Sequence, residues 1–366
     1  MANLVAADNP ELVLQMTAME RTTPAHYDEW NVRHQQLLDN DKYLNEQFLN
    51  VMANNAGAHN SIYRGKNLTN VYTIDEICNR ISNGTFEDLY IGDYFDKSIT
   101  TELGGTETVR LVLAGFDVFI NNGDTAFSKH HAVVVPRDCF KTTAKMNDTN
   151  TTVGGYAGSA MHTTVLPVYA EALKNVLNNH IITHRELLTT AISETGNSNA
   201  GAGYTGYASS WEWQDCDLRL MSEVQLYGCT VFSSSFYDVG NANIQFPLFR
   251  LAPDLKVARL GHNGGRYWQW LSAVASAAAF ANCNNNGNSN NNNAAGDGGV
   301  RPISCKYAKC RLRADIRYRK GKLVLPKGKE AHLLDRGKVS SILMHPDTSV
   351  GARNEVKLYE RYGVCI

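Results

Sequence analysis

Residues 260–302 read LGHNGGRYWQWLSAVASAAAFANCNNNGNSNNNNAAGDGGVRP, and this stretch is the one that most constrains the fold. A strand over RYWQWL places Trp268 and Trp270 on one face and Tyr267, Gln269 and Leu271 on the other, because strand side chains alternate with period two. We expect the two tryptophans to be buried, since indoles bury large apolar areas, while Tyr267 and Gln269 project outward as contact groups. A well-packed strand with no binding role would show the same alternation.

An asparagine run follows, in which nine of the twelve residues from Asn282 to Asn293 are Asn. A packed core does not require such a run, because Asn favours turns and hydrogen-bonds locally. Composition leaves two alternatives open, an ordered loop covered with amide groups or a low-complexity insert. The GVRPI sequence that follows is apolar and predicts that the chain returns to a sheet.

These features together resemble the variable region of the target proteins that retroelements diversify, a family that includes phage tropism determinants. The pattern is W-x-W-L-x-x-V-x-S-x-x-x-F-A, then an Asn-rich loop with glycine, then G-V-R-P. The residues that match the fixed scaffold of that family are Trp268, Trp270, Leu271, Val274, Ser276, Phe280, Ala281, Gly287, Gly299, Val300, Arg301 and Pro302. The resemblance implies that Trp268, Trp270, Phe280, Val300 and Arg301 support a binding site.

The residues between the scaffold positions are the ones that adenine-directed mutagenesis of Asn codons alters in that family. The resemblance therefore implies a ligand-binding set consisting of Asn263, Gly264, Gly265, Arg266, Tyr267, Gln269, Ser272, Asn282, Asn284, Asn285, Asn286 and Asn288. It also implies that the asparagine run is the undiversified product of an adenine-rich template. On that interpretation the ligand affinity of this copy is expected to be weak or absent.

Upstream of this segment, short apolar strands and amphipathic helices alternate irregularly, which predicts an α+β fold. The predicted strands are TVRLVLAGFDVFI and HAVVVP, and the predicted helices are LPVYAEALKNVLNNH and HRELLTTAI. Long loops are predicted for NDTNTTVGGYAGSAMHTT and SETGNSNAGAGYTGYASS. The family resemblance extends to about residue 71 through YIGDYF, LGGTETVRLVLAGFD, MSEVQLYG and FPLFRL, and it implies a C-type-lectin-like domain over 71–305, related to the formylglycine-generating enzymes.

Residues 1–70 are predicted to be an N-terminal attachment or oligomerisation segment. A helix is expected over 24–53, where apolar residues recur seven apart at Trp30, Leu37, Leu44 and Val51. The stripe fits a trimerising or docking helix, although His34 and Asp41 weaken a coiled coil, and it also fits a helix packed on its own domain. Residues 54–70 are small, polar and rich in Gly and Asn, which is typical of a linker or an exposed turn.

Residues 306–366 form a basic extension. Positions 301–366 hold 16 Lys and Arg against 6 Asp and Glu, a net charge of +10, which leaves −11 for residues 1–300. Arg311 and Arg313, and likewise Arg317 and Arg319, stand two residues apart, as on the exposed faces of strands. We expect a small β-rich appendage that docks an acidic partner, and nucleic-acid binding is a disfavoured alternative. Proteins of the family commonly stop before such an extension, so the resemblance assigns it no role.

Other chemistry has little support in the sequence. The eight cysteines form no CxxC pair, which argues against a zinc site, and no apolar stretch is long enough to predict membrane insertion. His130 and His131 are adjacent and would point to opposite faces of a strand, and Ser159 with His162 lacks a nucleophile-elbow pattern. We predict no catalytic residue and no cofactor, while structural Ca²⁺ stays open because the loops are rich in Asp and Asn.

The sequence thus predicts a phage or prophage receptor-binding or adhesion protein, made in the bacterial cytoplasm and carried on the virion. Its expected partners are a host-cell surface protein or glycan and other virion proteins, with a homotrimer as one assembly that fits. The first alternative is a structural tail or head-fibre component without a ligand of its own. The weaker alternative is an enzyme of the formylglycine-generating type, for which Cys216, Cys229, Cys283 and Cys305 are the thiols to consider.

Overall fold

The computed structural model describes residues 27–53, 56–198, 203–235 and 244–306, together with the short strands Arg317–Arg319 and Lys322–Val324. Backbone contacts divide the chain into two units, Met1–Ala308 and Lys309–Ile366. The first unit combines helices and antiparallel sheets, so the predicted α+β class is confirmed. In the second unit the two short strands pair antiparallel, with Tyr318 opposite Leu323. The strand prediction for Arg311 and Arg313 lies outside the described residues.

Thirteen strands are described in the first unit. In chain order they are β1 (Tyr94–Thr101), β2 (Gly105–Phe116), β3 (Ala132–Pro136), β4 (Ile181–Ile182), β5 (His184–Asn197), β6 (Thr205–Cys216), β7 (Leu218–Leu220), β8 (Ala258–Arg259), β9 (Arg266–Tyr267), β10 (Gln269–Val274), β11 (Ala279–Cys283), β12 (Ser289–Asn293) and β13 (Pro302–Lys306). The helices are α1 (Tyr27–Ala53), α2 (Ala56–His59), α3 (Ile74–Ser82), α4 (Leu166–Val176), α5 (Glu223–Tyr227) and α6 (Pro247–Leu251).

A six-stranded sheet that curls into a half-barrel forms the centre of the first unit. Its order is β1-β2-β3-β13-β4, and β7 pairs with another part of β13. Every residue of β3 is buried, because the sequence AVVVP is apolar and the sheet is covered on both faces. The predicted return of the chain after Val300 is confirmed, since β13 inserts beside β3 with Ser304 opposite Val134.

A long ribbon of β5 and β6 replaces two of the predicted elements. The helix predicted for residues 184–192 is wrong, because this segment pairs with β6 in a register that sets Leu187 opposite Trp213. The spacing of Leu188 and Ile192 imitates a helix, but Thr189, Thr190 and Ile192 are β-branched and favour a strand. The long loop predicted for 193–210 is also wrong over its described ends, which extend β5 and β6.

The segment 260–302 forms a smaller three-stranded sheet, β10-β11-β12, and also β9, which pairs with the preceding strand β8 in a two-stranded ribbon. Burial alone does not alternate along β10, because all six of its residues are buried. The asparagine run is part of this sheet, since Asn290 and Asn292 pair with Asn282 and Phe280 of β11. Trp270 and Phe280 belong to the same hydrophobic core as the strands of the main sheet.

The helices match the sequence pattern better than the loops do. Helix α4 confirms the helix predicted for LPVYAEALKNVLNNH as far as Val176, and a π-helical turn at Met161–Val165 leads into it. The chain leaves α4 at Asn178 and Asn179, which have φ angles of 53° and 58°, a left-handed conformation that Asn tolerates. Within the described ranges, no helix combines the length and the apolar character that crossing a bilayer requires.

The N-terminal part of the described chain is not a free linker. The predicted helix is found as α1, where Trp30, Leu37, Leu44 and Phe48 are exposed. Of the two alternatives for 54–70, the described residues show a turn at Asn60 and Ser61, exposed at Ser61, and they are also held against the body of the protein: His59 is buried with Nδ1 2.7 Å from the Leu89 carbonyl oxygen. Two backbone bridges, Tyr63 to Ile91 and Asn67 to Tyr94, continue this attachment along the chain.

Candidate ligand-binding face

Two turns carry most of the residues that the sequence assigned to ligand binding. The first connects β8 to β9, where the backbone N–H of Leu260 donates to the Gly265 carbonyl oxygen at 3.0 Å. The second connects β11 to β12 and is closed by the Asn284 side chain, whose Oδ1 accepts the backbone N–H groups of Asn286 at 2.9 Å and Asn288 at 3.0 Å. Asn provides this local closure because its short side chain reaches the backbone two residues on. The asparagine-rich loop is therefore an ordered turn.

The second turn packs against the segment that leads into the β8–β9 ribbon, and the first turn closes the other end of that ribbon. A Cβ built on Gly287 would lie 3.0 Å from Cγ2 of Val257, the residue that precedes β8. Since Ala258 pairs with Tyr267, the β8–β9 ribbon begins directly beside the second turn. We call the surface they form the display face, and its residues are Asn263, Gly264, Gly265, Arg266, Tyr267, Asn284, Asn285, Asn286 and Asn288.

Exposure differs within the display face. Asn263, Gly265, Arg266, Asn285, Asn286 and Asn288 are exposed, and the other three are half-buried. Tyr267 is turned toward the body of the protein, because its hydroxyl donates to the Asp297 carbonyl oxygen at 3.0 Å and its ring lies 6.1 Å from that of Trp268. Arg266 and Tyr267 are consecutive strand residues and therefore occupy opposite faces of the ribbon.

Three residues of the predicted ligand-binding set are not on the display face. Gln269, Ser272 and Asn282 are buried, so the expectation that Gln269 projects outward is wrong. The physical reason is that β10 and β11 are covered on both faces, so residues on either side of these strands are inside. The polar groups are satisfied internally: Gln269 donates to the Lys256 carbonyl oxygen at 2.9 Å, and Ser272 donates to that of Met221 at 3.3 Å.

The residues predicted to support the site are packed beneath it. Trp270, Phe280, Val300 and Arg301 are fully buried, and Trp268 is half-buried. The two indole rings lie 4.7 Å apart in an edge-to-face arrangement, and the Trp270 Nε1–H donates to the Ala144 carbonyl oxygen at 2.9 Å. A side chain at Gly298 would collide with both rings, since its Cβ would lie 2.5 Å from Trp270 Nε1.

Arg301 joins three parts of the chain. Its Nε donates to the Pro136 carbonyl oxygen at 2.7 Å and one terminal nitrogen donates to that of Leu255 at 3.1 Å, while the guanidinium lies 5.4 Å from the Phe249 ring. Burial lowers the pKa of Arg301 to about 10. These contacts tie β13 to β3 and to the turn before β8, so Arg301 fixes the base on which the first turn stands.

Glu223 anchors the second turn, and the sequence offered little signal for it. Its carboxylate is buried and accepts the backbone N–H groups of Val231, Phe232 and Ser233 at 2.7–3.0 Å. It also accepts a 2.6 Å hydrogen bond from the hydroxyl of Ser289, the first residue of β12. The only local hint is its place in the first turn of α5, inside a capping box formed by Ser222 and Gln225.

A buried ionic group lies below Ser272. Glu186 pairs with Arg219 at 2.8 Å and with His184 at 2.9 Å, and all three side chains are almost fully buried. Burial by itself would raise the pKa of Glu186, but Arg219 and His184 outweigh it and lower that pKa to about 2. Arg219 also reaches Ser272 Oγ at 3.5 Å, so the variable segment rests on this charged cluster.

The other candidates for chemistry do not assemble into a site. The hydroxyl of Ser159 donates to the Tyr156 carbonyl oxygen at 2.7 Å and is thus engaged with the backbone. The six cysteines of the described residues are free thiols, and burial raises the pKa of Cys139 and Cys216 to about 12, which disfavours a reactive thiolate. Among the described residues, no group of three or more His, Cys, Asp and Glu is placed to hold a metal ion.

Comparison with known proteins gives no match: no protein-family model, no curated protein and no solved structure matches the chain. What the face offers chemically is a set of amide groups, one guanidinium and one phenol on two ordered turns. Such groups bind by hydrogen bonds and stacking.

Proposed function

We propose that the chain is a receptor-binding or adhesion protein of a phage or prophage virion, and that its display face binds a molecule on the host-cell surface. One observation carries the proposal. Of the twelve positions that the family resemblance marks as variable, nine lie on the two turns and the start of β9, while ten of the twelve positions marked as fixed are buried; the exceptions are Trp268 and Gly287, which are half-buried. A recognition surface needs this division, because exposed positions can change without loss of the fold.

The chemistry of the face supports binding without catalysis. Amide side chains make adaptable polar contacts, and Arg266 adds a charged anchor at the edge of the first turn. The C-type-lectin-like fold belongs to this proposal, and the α+β core with its curled sheet is the feature that supports it. A homotrimer on the virion is the assembly we propose, on the basis of the exposed seven-residue stripe of α1.

Binding of the purified chain to whole cells from a panel of bacterial strains tests this function. Because the asparagine run predicts weak affinity, the chain is presented in many copies on fluorescent beads, and we expect at least one strain to bind them. The triple variant Asn263→Ala/Arg266→Ala/Asn286→Ala should bind about tenfold more weakly with an unchanged unfolding midpoint. The control variant Glu102→Ala/Glu194→Ala/Arg250→Ala, which removes exposed side chains elsewhere, should bind normally. Absence of binding to every strain, or full binding by the triple variant, contradicts the proposal.

The coding DNA gives a separate test of diversification. We expect AAC or AAT codons, or their adenine-substituted products, at the display-face positions. A near-copy of the segment and a reverse transcriptase gene should lie close by. Other codons at most of these positions, with no near-copy, would remove the retroelement part of the proposal and leave the binding part to the cell experiment.

A structural virion component is the second candidate, and α1 is the observation that favours it. Trp30, Val32, Leu37, Leu44 and Phe48 are all exposed on this 27-residue helix, which suggests a partner in the assembled particle.

Deletion of the basic extension, residues 306–366, tests whether that extension serves virion assembly or ligand recognition. Loss of virion assembly with cell binding retained assigns the extension to assembly, whereas loss of cell binding with assembly retained assigns it to ligand recognition.

A further inference from the structure

Arg259 and Arg266 stand directly opposite each other in the β8–β9 ribbon. Both side chains are exposed, and in such a pair the Cβ atoms lie about 4.5–5.5 Å apart. Neither guanidinium has an ion-pair partner among the described residues. Like charges directly opposite each other destabilise a strand pair, so this arrangement carries a cost that the fold does not explain.

The acidic groups nearby do not neutralise the pair. The Asp138 carboxylate is largely buried and already accepts the Arg259 backbone N–H at 3.0 Å and the Arg137 guanidinium at 3.3 Å. Asp297 lies beside Tyr267, on the opposite face of the ribbon from Arg266. Solvent can reach the pair, because both arginine side chains are exposed.

We propose that Arg259 and Arg266 form a clamp for an anionic group, and that the ligand of the display face is an acidic glycan. This inference rests on the proposed function for its location. Two adjacent guanidinium groups match a carboxylate, phosphate or sulfate, because each presents a planar set of donors that can bind such oxygens in pairs. Binding of the anion would also relieve the repulsion between the two arginines.

A glycan fits the surroundings of the clamp better than a protein partner does. Between residues 256 and 300 no large hydrophobic side chain is exposed, whereas protein interfaces depend on buried aromatic and aliphatic anchors. The exposed neighbours are Asn263, Asn285, Asn286 and Asn288, whose amides donate to and accept from sugar hydroxyl groups. The face is therefore polar throughout, with its charge concentrated at the arginine pair.

Arg259 and Arg266 differ in one respect that predicts specificity. Arg266 belongs to the positions that the family resemblance marks as variable, and Arg259 lies outside them. A substitution at Arg266 alone would therefore break the clamp and move the face from acidic to neutral glycans, while Arg259 stays in place.

Three polymer surfaces with the same backbone test the clamp: dextran, carboxymethyl dextran and dextran sulfate. We expect the full chain to bind the carboxylate or sulfate surface and not the neutral one. Binding to only one charged surface would identify the anion. Arg259→Ala and Arg266→Ala should each weaken binding about tenfold, and 0.5 M salt should weaken it further.

Two control variants separate the clamp from general attraction by positive charge. Arg250→Ala removes another exposed arginine, and Arg361→Ala removes one from the basic extension. Both should bind within about twofold of wild type if the clamp carries the affinity. Because like charges destabilise the ribbon, the two clamp variants should also be at least as stable as wild type, which separates lost binding from unfolding.

Equal losses from clamp and control variants would overturn the clamp, as would equal binding to neutral dextran. The proposed function would survive that result if the chain still bound cells through the display face. Failure of cell binding by wild type, with clamp-dependent binding to the charged polymer, would instead remove the proposed function and keep the anion site.

Discussion

Strands β10 and β12 belong to the same three-stranded sheet, yet their polar residues have opposite roles. In β10 the side chains of Gln269 and Ser272 are buried and hydrogen-bonded to backbone carbonyl groups. In β12 Asn290 and Asn292 are exposed, and each accepts the backbone N–H of the next residue at 2.9 Å. Both are outer strands of the sheet, so the difference comes from what covers them: β10 is buried on both faces, whereas β12 is open to solvent.

This contrast shows that residue type alone does not identify a binding position. The same polar side chains serve the framework where partners surround them and the display face where water does. The framework should therefore be sensitive to substitution, and the display face tolerant of it. Four variants or pairs of variants test this difference, from large effects to small ones.

Replacement of Trp270 by Ala should have the largest effect. The variant loses a fully buried indole and the hydrogen bond to Ala144, so we expect a loss of about 3–5 kcal/mol in the free energy of unfolding. Urea denaturation of purified protein measures it. Asn285→Ala on the display face should change stability by less than about 0.5 kcal/mol. Similar losses from the two variants would remove the distinction between framework and display face.

An arginine substitution should destabilise the protein at a buried variable position and leave its stability unchanged at an exposed one. Ser272→Arg should destabilise by about 2–3 kcal/mol or prevent folding, because it overfills a packed site and adds a second cation beside Arg219. Asn286→Arg should be nearly neutral, since the side chain can extend into solvent. Thermal unfolding midpoints measure both, and a stable Ser272→Arg protein would return position 272 to the candidate variable set.

Acid should weaken the framework through His162, which lies away from the display face. Burial, with Arg219 adding to it, lowers the pKa of His162 to about 4. The unfolded chain has a His pKa of about 6.5 and therefore takes up the proton first. Stability is present above pH 6.5 and is lost as the pH falls toward 4.

Unfolding free energies of wild type and His162→Gln at pH 7, 6, 5 and 4 measure this effect. Wild type should lose about 1 kcal/mol or more relative to the variant between pH 7 and 5. Parallel pH curves for the two proteins would show that His162 takes up its proton as readily in the folded state as in the unfolded chain.

The smallest effect is expected within the display face itself. Gly287 has a φ angle of 87° and packs on Val257, so Gly287→Ala should cost about 1 kcal/mol. Gly265 has open space around its Cα, and Gly265→Ala should be close to neutral. Differential scanning calorimetry of the pair tests whether the second turn is held in one conformation. Equal midpoints would mean that this turn adjusts at no cost.

Much of the fold followed from the sequence, and the failures have a common physical origin. The α+β class, α4, β3 and the return at β13 were predictable because apolar periodicity and helix starts are local signals. The β5–β6 ribbon was not, since its pairing joins residues such as His184 and Cys216 that are far apart in the chain. Tertiary pairing overrode a local pattern that resembled a helix.

The candidate site was likewise predictable where local signals determine it and not where distant segments do. The two turns follow from Gly and Asn residues whose local hydrogen bonds close them. The burial of Gln269, Ser272 and Asn282 depends on what covers the sheet from other parts of the chain, which alternation within one strand does not contain. Glu223 and Arg259 were missed because their roles arise from contacts with other segments of the same chain. Glu223 binds Ser289, and Arg259 stands opposite Arg266.

Two matched libraries measure the central claim directly. One randomises Asn263, Arg266 and Asn286, and the other randomises Gln269, Ser272 and Asn282, so that each varies three positions. Each library is displayed on phage, treated with protease and sequenced, so the surviving fraction reports folded protein. We expect most members of the first library to survive the protease and most members of the second to be cleaved. Equal survival of the two libraries would contradict this expectation.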